Sequence, residues 1–108
     1  MGIVIIAAYR PKDGAEAEFE KTLAEHIPTL RQHNLLTDRP EVRMRTEDGV
    51  FLELFEWRSQ DAIRKAHVSP EVQRVWENLD AVCEYVPLAD LPESSDRFAH
   101  FTPLQLST

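Results

Sequence analysis

The stretch Glu41-Val42-Arg43-Met44-Arg45-Thr46-Glu47-Asp48-Gly49-Val50-Phe51-Leu52-Glu53-Leu54-Phe55-Glu56-Trp57 decides the fold. Two extended runs, Glu41 to Thr46 and Val50 to Trp57, flank a turn signal at Glu47-Asp48-Gly49, which reads as a β-hairpin. Its register can be argued. A two-residue Asp48-Gly49 loop sets Arg45 opposite Leu52 and Arg43 opposite Leu54, mixing charge into both faces. A three-residue loop with Gly49 left-handed pairs Thr46 with Val50, Met44 with Leu52, Val42 with Leu54 and Arg43 with Glu53. One face is then Val42, Met44, Thr46, Val50, Leu52 and Leu54; the other carries Arg43, Arg45, Phe51, Glu53, Phe55 and Trp57. A slip of one residue would swap the faces, so the clean segregation favours the three-residue loop.

Upstream, Ile3 to Arg10 is an apolar, β-branched run of strand length, closed by Pro11-Lys12-Asp13-Gly14. It predicts a buried, central strand. Asp13 with Glu16 forms a variant of the capping box. Phe19, Leu23, Ile27 and Leu30 supply one helical stripe, with a kink or break expected near Ile27 because Pro28 lacks a backbone donor. Asn34 suits a left-handed C-terminal cap. Downstream, Ser59 opens a short helix with Ala62, Ile63 and Ala66 on one side. Ser69-Pro70 starts another, with Val72, Val75, Trp76 and Leu79 as its stripe. Ala81 to Leu88 reads as a last strand.

The order βαββαβ predicts an α+β, ferredoxin-like domain over residues 1–90, with a four-stranded antiparallel sheet and a tail over 91–108. Two helices cover one sheet face. The other, taken to be the one with Phe51, Phe55 and Trp57, calls for a second copy, so a homodimer is expected, with the tail a candidate to pack on the partner.

Composition narrows the function. The chain has 108 residues, enough for one domain, and a formal net charge of −7. That balance argues against nucleic acid and anionic membranes as partners. The opening apolar run lacks a basic leader and is too short for a signal peptide or a membrane span, so a cytoplasmic protein is expected. Cys83 is the one cysteine, which excludes an internal disulfide. His26, His33 and His100 show no metal-ligand spacing, and no metal is expected. Three glycines form no phosphate-binding loop, and no Ser or Cys sits in a nucleophile elbow.

Three segments carry a family resemblance: Tyr9-Arg10-Pro11-Lys12-Asp13-Gly14, Phe55-Glu56-Trp57-Arg58-Ser59-Gln60-Asp61-Ala62, and Ala66-His67-Val68-Ser69-Pro70. A strand-final Trp, an Ala five residues on, and a His before a Ser-capped helix resemble the antibiotic-biosynthesis-monooxygenase-like family of dimeric α/β-barrel proteins, from Ile3 to about Leu88. The resemblance implies a barrel of two sheets, one per subunit. Some members oxidise aromatic compounds to quinones with molecular oxygen and neither metal nor flavin; others bind or degrade haem. The haem branch resembles a pattern of an Asn early in the first strand and a ligand His about two turns beyond the Ser-Pro break. Here the first strand has no Asn and the stretch Pro70 to Leu79 carries Trp76 and no His, so haem degradation is disfavoured and no cofactor is expected.

The candidate residues each read two ways. His67 is a general base toward a phenol, or a histidine satisfied by carbonyls at a helix C-terminus. Trp57, with Phe51 and Phe55, stacks on a flat ligand or anchors an interface. Arg43 and Arg45 stabilise an anion, or Arg43 simply pairs with Glu53 while Arg45 reaches the rim. Tyr9 and Tyr85 offer hydroxyls to a ligand or only pack. Together they describe a cofactor-independent monooxygenase-like protein acting on a small aromatic or phenolic compound. The alternative is a non-catalytic dimeric small-ligand-binding or stress-response module of the same fold. A cavity of at least a few hundred cubic ångströms near His67 separates the two.

Overall fold

The computed structural model describes residues 2–106. Strand β1 spans Ile3–Pro11, helix α1 Glu16–Gln32, β2 Val42–Arg45 and β3 Phe51–Trp57. Helix α2 spans Gln60–Val68, α3 Pro70–Val82, β4 Cys83–Tyr85, and a short β5 Thr102–Pro103. The antiparallel sheet has the order β4-β1-β3-β2-β5, so β1 is an interior strand as expected, but it is not buried throughout, since Val4 and Ile6 are exposed. The hairpin takes the three-residue loop: Arg43 pairs with Glu53, Met44 with Leu52 and Val42 with Leu54. Thr46 N donates to the Val50 carbonyl at 2.9 Å, and Gly49 supplies the positive φ of 91°.

Local signals place most element ends. Ser59 and Ser69 accept from the backbone N–H groups of Ala62 and Val72, and Pro70 fills the first helical position. Asn34 takes the left-handed conformation at the end of α1, at φ 56°. Three expectations are corrected. Asp13 does not cap α1; it lies in a turn closed by Ala15 N donating to the Lys12 carbonyl, two positions before the cap residue, Ala15. Pro28 does not break α1, because it lies exposed while Ile27 and Leu30 hold that part of the helix against the core. The last strand is short because the helical stripe continues through Leu79 and Val82, leaving only Cys83–Tyr85 for the sheet.

The face assignment is inverted. Phe55 and Trp57 pack with Ile27, Leu30, Ala62, Ala66 and Val72, while Phe51 and Tyr9 pack with Phe19, Leu23, Val75 and Leu79. The helices therefore cover the side that mixes rings with charges. The charges are tolerated there because Arg43 and Glu53 neutralise one another. The open side is the mainly apolar one, where Val4, Ile6 and Val42 remain 41–49% exposed.

The tail covers the other end of that side. Leu91 is buried with Ala8, Val50 and Leu52, and Phe101 packs beside them. The chain then crosses the β2 edge: Thr102 and Pro103 pair with Arg45 and Met44, and Leu104 N donates to the Arg43 carbonyl at 2.9 Å. This fifth strand blunts the edge that a four-stranded sheet would have left open. Among the described residues no helix is long and apolar enough to cross a membrane.

Candidate functional site

Between the sheet and its helices lies a connected set of buried polar side chains centred on Glu53, which is fully buried. Glu53 projects from mid-β3 toward α1 and α3. Its Oε1 accepts the Tyr9 hydroxyl at 3.0 Å and lies 2.8 Å from His26 Nδ1, while its Oε2 accepts from Arg43 Nε at 3.0 Å. A buried carboxylate is costly unless its charge is matched and its lone pairs are used. Arg43 supplies the charge from the neighbouring strand and also donates to the Leu23 carbonyl at 3.3 Å. Burial and then Glu53 hold the Tyr9 phenol well above its ordinary range, so it remains a donor.

His26 sits on the inner side of α1 with its ring edge-on to Phe55 at 5.6 Å. Trp76 Nε1 donates to His26 Nε2 at 3.1 Å. An indole N–H can only donate, so Nε2 carries the lone pair and the imidazole proton sits on Nδ1, aimed at Glu53. The carboxylate thereby fixes both tautomer and orientation, as a base requires.

His26 and Trp76 border a cleft of about 380 Å³ whose other walls include Ile5, Phe55, Trp57 and Tyr85. That is large enough for a small aromatic molecule. A larger groove of about 710 Å³ runs along the outer side of α1 beside Arg74 and Leu106. Its polar walls, among them Glu20, Lys21 and Glu25, are exposed, so it offers neither desolvation nor a preorganised group. The smaller cleft, with the buried His26 in its wall, is the candidate site.

The residues singled out by sequence divide accordingly. Phe55, Trp57 and Tyr85 line the cleft, whereas Phe51 packs against Phe19 with ring centroids 5.0 Å apart. Arg43 is behind the site, committed to Glu53. Arg45 lies apart, bordering a hollow with Glu47 and Phe101. His67 is exposed in the last turn of α2, its Nδ1 donating to the Ile63 carbonyl at 2.9 Å. It reaches the site only indirectly, edge-on to Trp76 at 5.1 Å. Sequence reasoning missed His26. The available signal was a polar residue on the apolar stripe of α1, three positions after Leu23 and four before Leu30. Among the described residues no group of three or more His, Cys, Asp or Glu is arranged to hold a metal ion.

A family model of the antibiotic biosynthesis monooxygenases matches residues 2–78. The chain belongs to that family. Among curated proteins none matches it. The structure of SnoaB, a cofactor-independent oxygenase from Streptomyces nogalater, is similar with a TM-score of 0.64 at 19% identity, over 79% of this chain and 86% of that one. A point variant of SnoaB gives 0.64 at 22% identity, over 85% and 98%. Rv0793 from Mycobacterium tuberculosis gives 0.64 at 20% identity, over 88% and 100%. At these identities the likeness shows a shared fold. The family match ends within α3, so it includes Tyr9, His26, Glu53 and Trp76 but leaves out β4 and the tail.

Proposed function

We propose that this family member is a cofactor-independent monooxygenase acting on a small phenolic compound held in the cleft, with His26 as general base. The observation that carries the reading is a histidine locked in one tautomer by a buried carboxylate, its lone pair at the wall of a ring-lined cleft. A phenolic O–H would take the place of the Trp76 N–H at Nε2 and give its proton to His26. Glu53 would balance the imidazolium that forms, with Arg43 and Tyr9 keeping Glu53 ionised and fixed. The electron-rich ring then reacts with molecular oxygen. One oxygen atom is retained as the second carbonyl of a quinone, and the other leaves as water with the two hydrogens lost from the substrate. Phe55, Trp57 and Trp76 would keep the ring flat and water out.

The protein is further proposed to be a homodimer joined through the open sheet face around Val4, Ile6, Val42 and Leu54. A solvent-facing apolar patch on a sheet is the usual mark of such a contact.

The alternative, a non-catalytic binding module, is favoured by one observation. The network around His26 is already saturated; among the described residues the one buried side-chain polar atom without a partner is Glu93 Oε1, far along the tail. Oxygen uptake with hydroquinone-type and naphthol substrates separates the readings. His26→Gln should lower turnover by roughly a hundredfold or more, the usual share of general base catalysis, while His67→Ala leaves it nearly unchanged. Equal uptake by wild type and a folded His26→Gln protein would remove His26 from the chemistry and leave the binding module.

A further inference from the structure

The charged side chains bordering the cleft are all of one sign, and most of its other polar atoms can accept a hydrogen bond. His26 Nε2 offers a lone pair that the Trp76 N–H now occupies. Tyr85 gives its hydroxyl proton to Asp80 Oδ1 at 2.6 Å, so its oxygen is left as an acceptor. Gln73 commits its amide nitrogen to the Ala66 carbonyl at 3.2 Å, which leaves its carbonyl oxygen available. Glu77 and Asp80 add carboxylates along the α3 wall. Among the described residues no Lys or Arg borders the cleft. Arg43 is turned away behind Glu53, with Glu41 at 3.6 Å on its other side, and Lys12 touches Asp80 only at its main-chain carbonyl, at 3.4 Å.

We infer that the cleft selects neutral or cationic aromatic compounds that donate hydrogen bonds, such as phenols, catechols and aryl amines, and rejects aromatic carboxylates and sulfonates of the same size. A donor finds the Tyr85 oxygen and two carboxylates ready to accept it, and His26 Nε2 once the Trp76 N–H is displaced. An anion finds like charge and no counter-ion. The inference rests on the proposed reading of the cleft as the ligand site and adds the class of compound it admits.

The test is isothermal titration calorimetry with 2-naphthol and 2-naphthoate, matched bicyclic probes, at neutral pH. The protein's two tryptophans, Trp57 and Trp76, both border the cleft, so their indole N–H resonances report whether binding occurs there. Wild type should bind naphthol at least about tenfold more tightly than naphthoate. The double variant Glu77→Gln, Asp80→Asn should narrow that gap to below about threefold, chiefly by strengthening naphthoate. Equal affinities in wild type, or a gap unchanged in the double variant, would overturn the selectivity while leaving the ligand site standing. No heat and no shift of the Trp76 indole with either probe would overturn the site itself.

Discussion

Arg43 Nε donates to Glu53 Oε2 at 3.0 Å across the β2–β3 ladder, on the side of the sheet that the helices cover. The pair is therefore internal: the side chains are 10% and 0% exposed. Removing one partner strands the other's charge. Arg43→Ala should cost about 3–5 kcal/mol, measured by urea unfolding, while the double variant Arg43→Met, Glu53→Leu should cost less than the two single changes added together. A loss below about 1 kcal/mol for Arg43→Ala would mean that the pair behaves as an exposed one.

The open face and the covered face should respond in opposite ways to a new charge. Ile6→Glu, on the open side, should leave a folded protein that light scattering reports as a monomer. Phe55→Glu, in the core, should unfold or aggregate the chain by burying an unpaired carboxylate. A folded Phe55→Glu monomer would contradict the packing of Phe55 under α1 and α2.

Trp76→Phe keeps a ring over the cleft and deletes one donor. It leaves His26 Nε2 without its protein partner and should cost about 1–3 kcal/mol if water cannot replace the indole. Phenol binding should tighten, since the ligand no longer displaces an existing bond. Unchanged stability together with unchanged binding would show that the Trp76–His26 contact carries no energy.

Alkaline pH should weaken the fold. Burial pushes the Cys83 thiol up from 9.0 to about 11, and desolvation followed by the Asp80 hydrogen bond raises Tyr85; Tyr9 is raised as well. A raised folded-state pKa means the folded protein keeps a proton that the unfolded chain releases. The stabilisation is complete below the unfolded values and is lost as pH climbs through the folded ones. Urea midpoints should fall steadily above about pH 9, and Cys83→Ala should flatten the part of that fall below about pH 11. A midpoint constant across this range would contradict the burial of these groups.

The order βαββαβ, the three-residue hairpin loop, the serine caps at Ser59 and Ser69 and the left-handed Asn34 were all legible in the chain. Each depends on neighbours within a few residues, and period or turn chemistry reports such contacts directly. Which face of the hairpin the helices cover was decided by the tertiary structure alone. Alternation separates two faces but is silent on which is buried, and the apolar one is the natural guess. The guess fails because Glu53 draws on residues 27 and 44 positions away, His26 and Tyr9, which complete its hydrogen bonds inside the core. The same distance hid the site. His26 looked unremarkable in sequence because its meaning lies in Glu53 on one side and Trp76 on the other, and only the packing of α1 and α3 onto β3 brings the three together. The return of the tail onto the β2 edge was likewise a decision of packing, since nothing local ties Thr102 to Arg45.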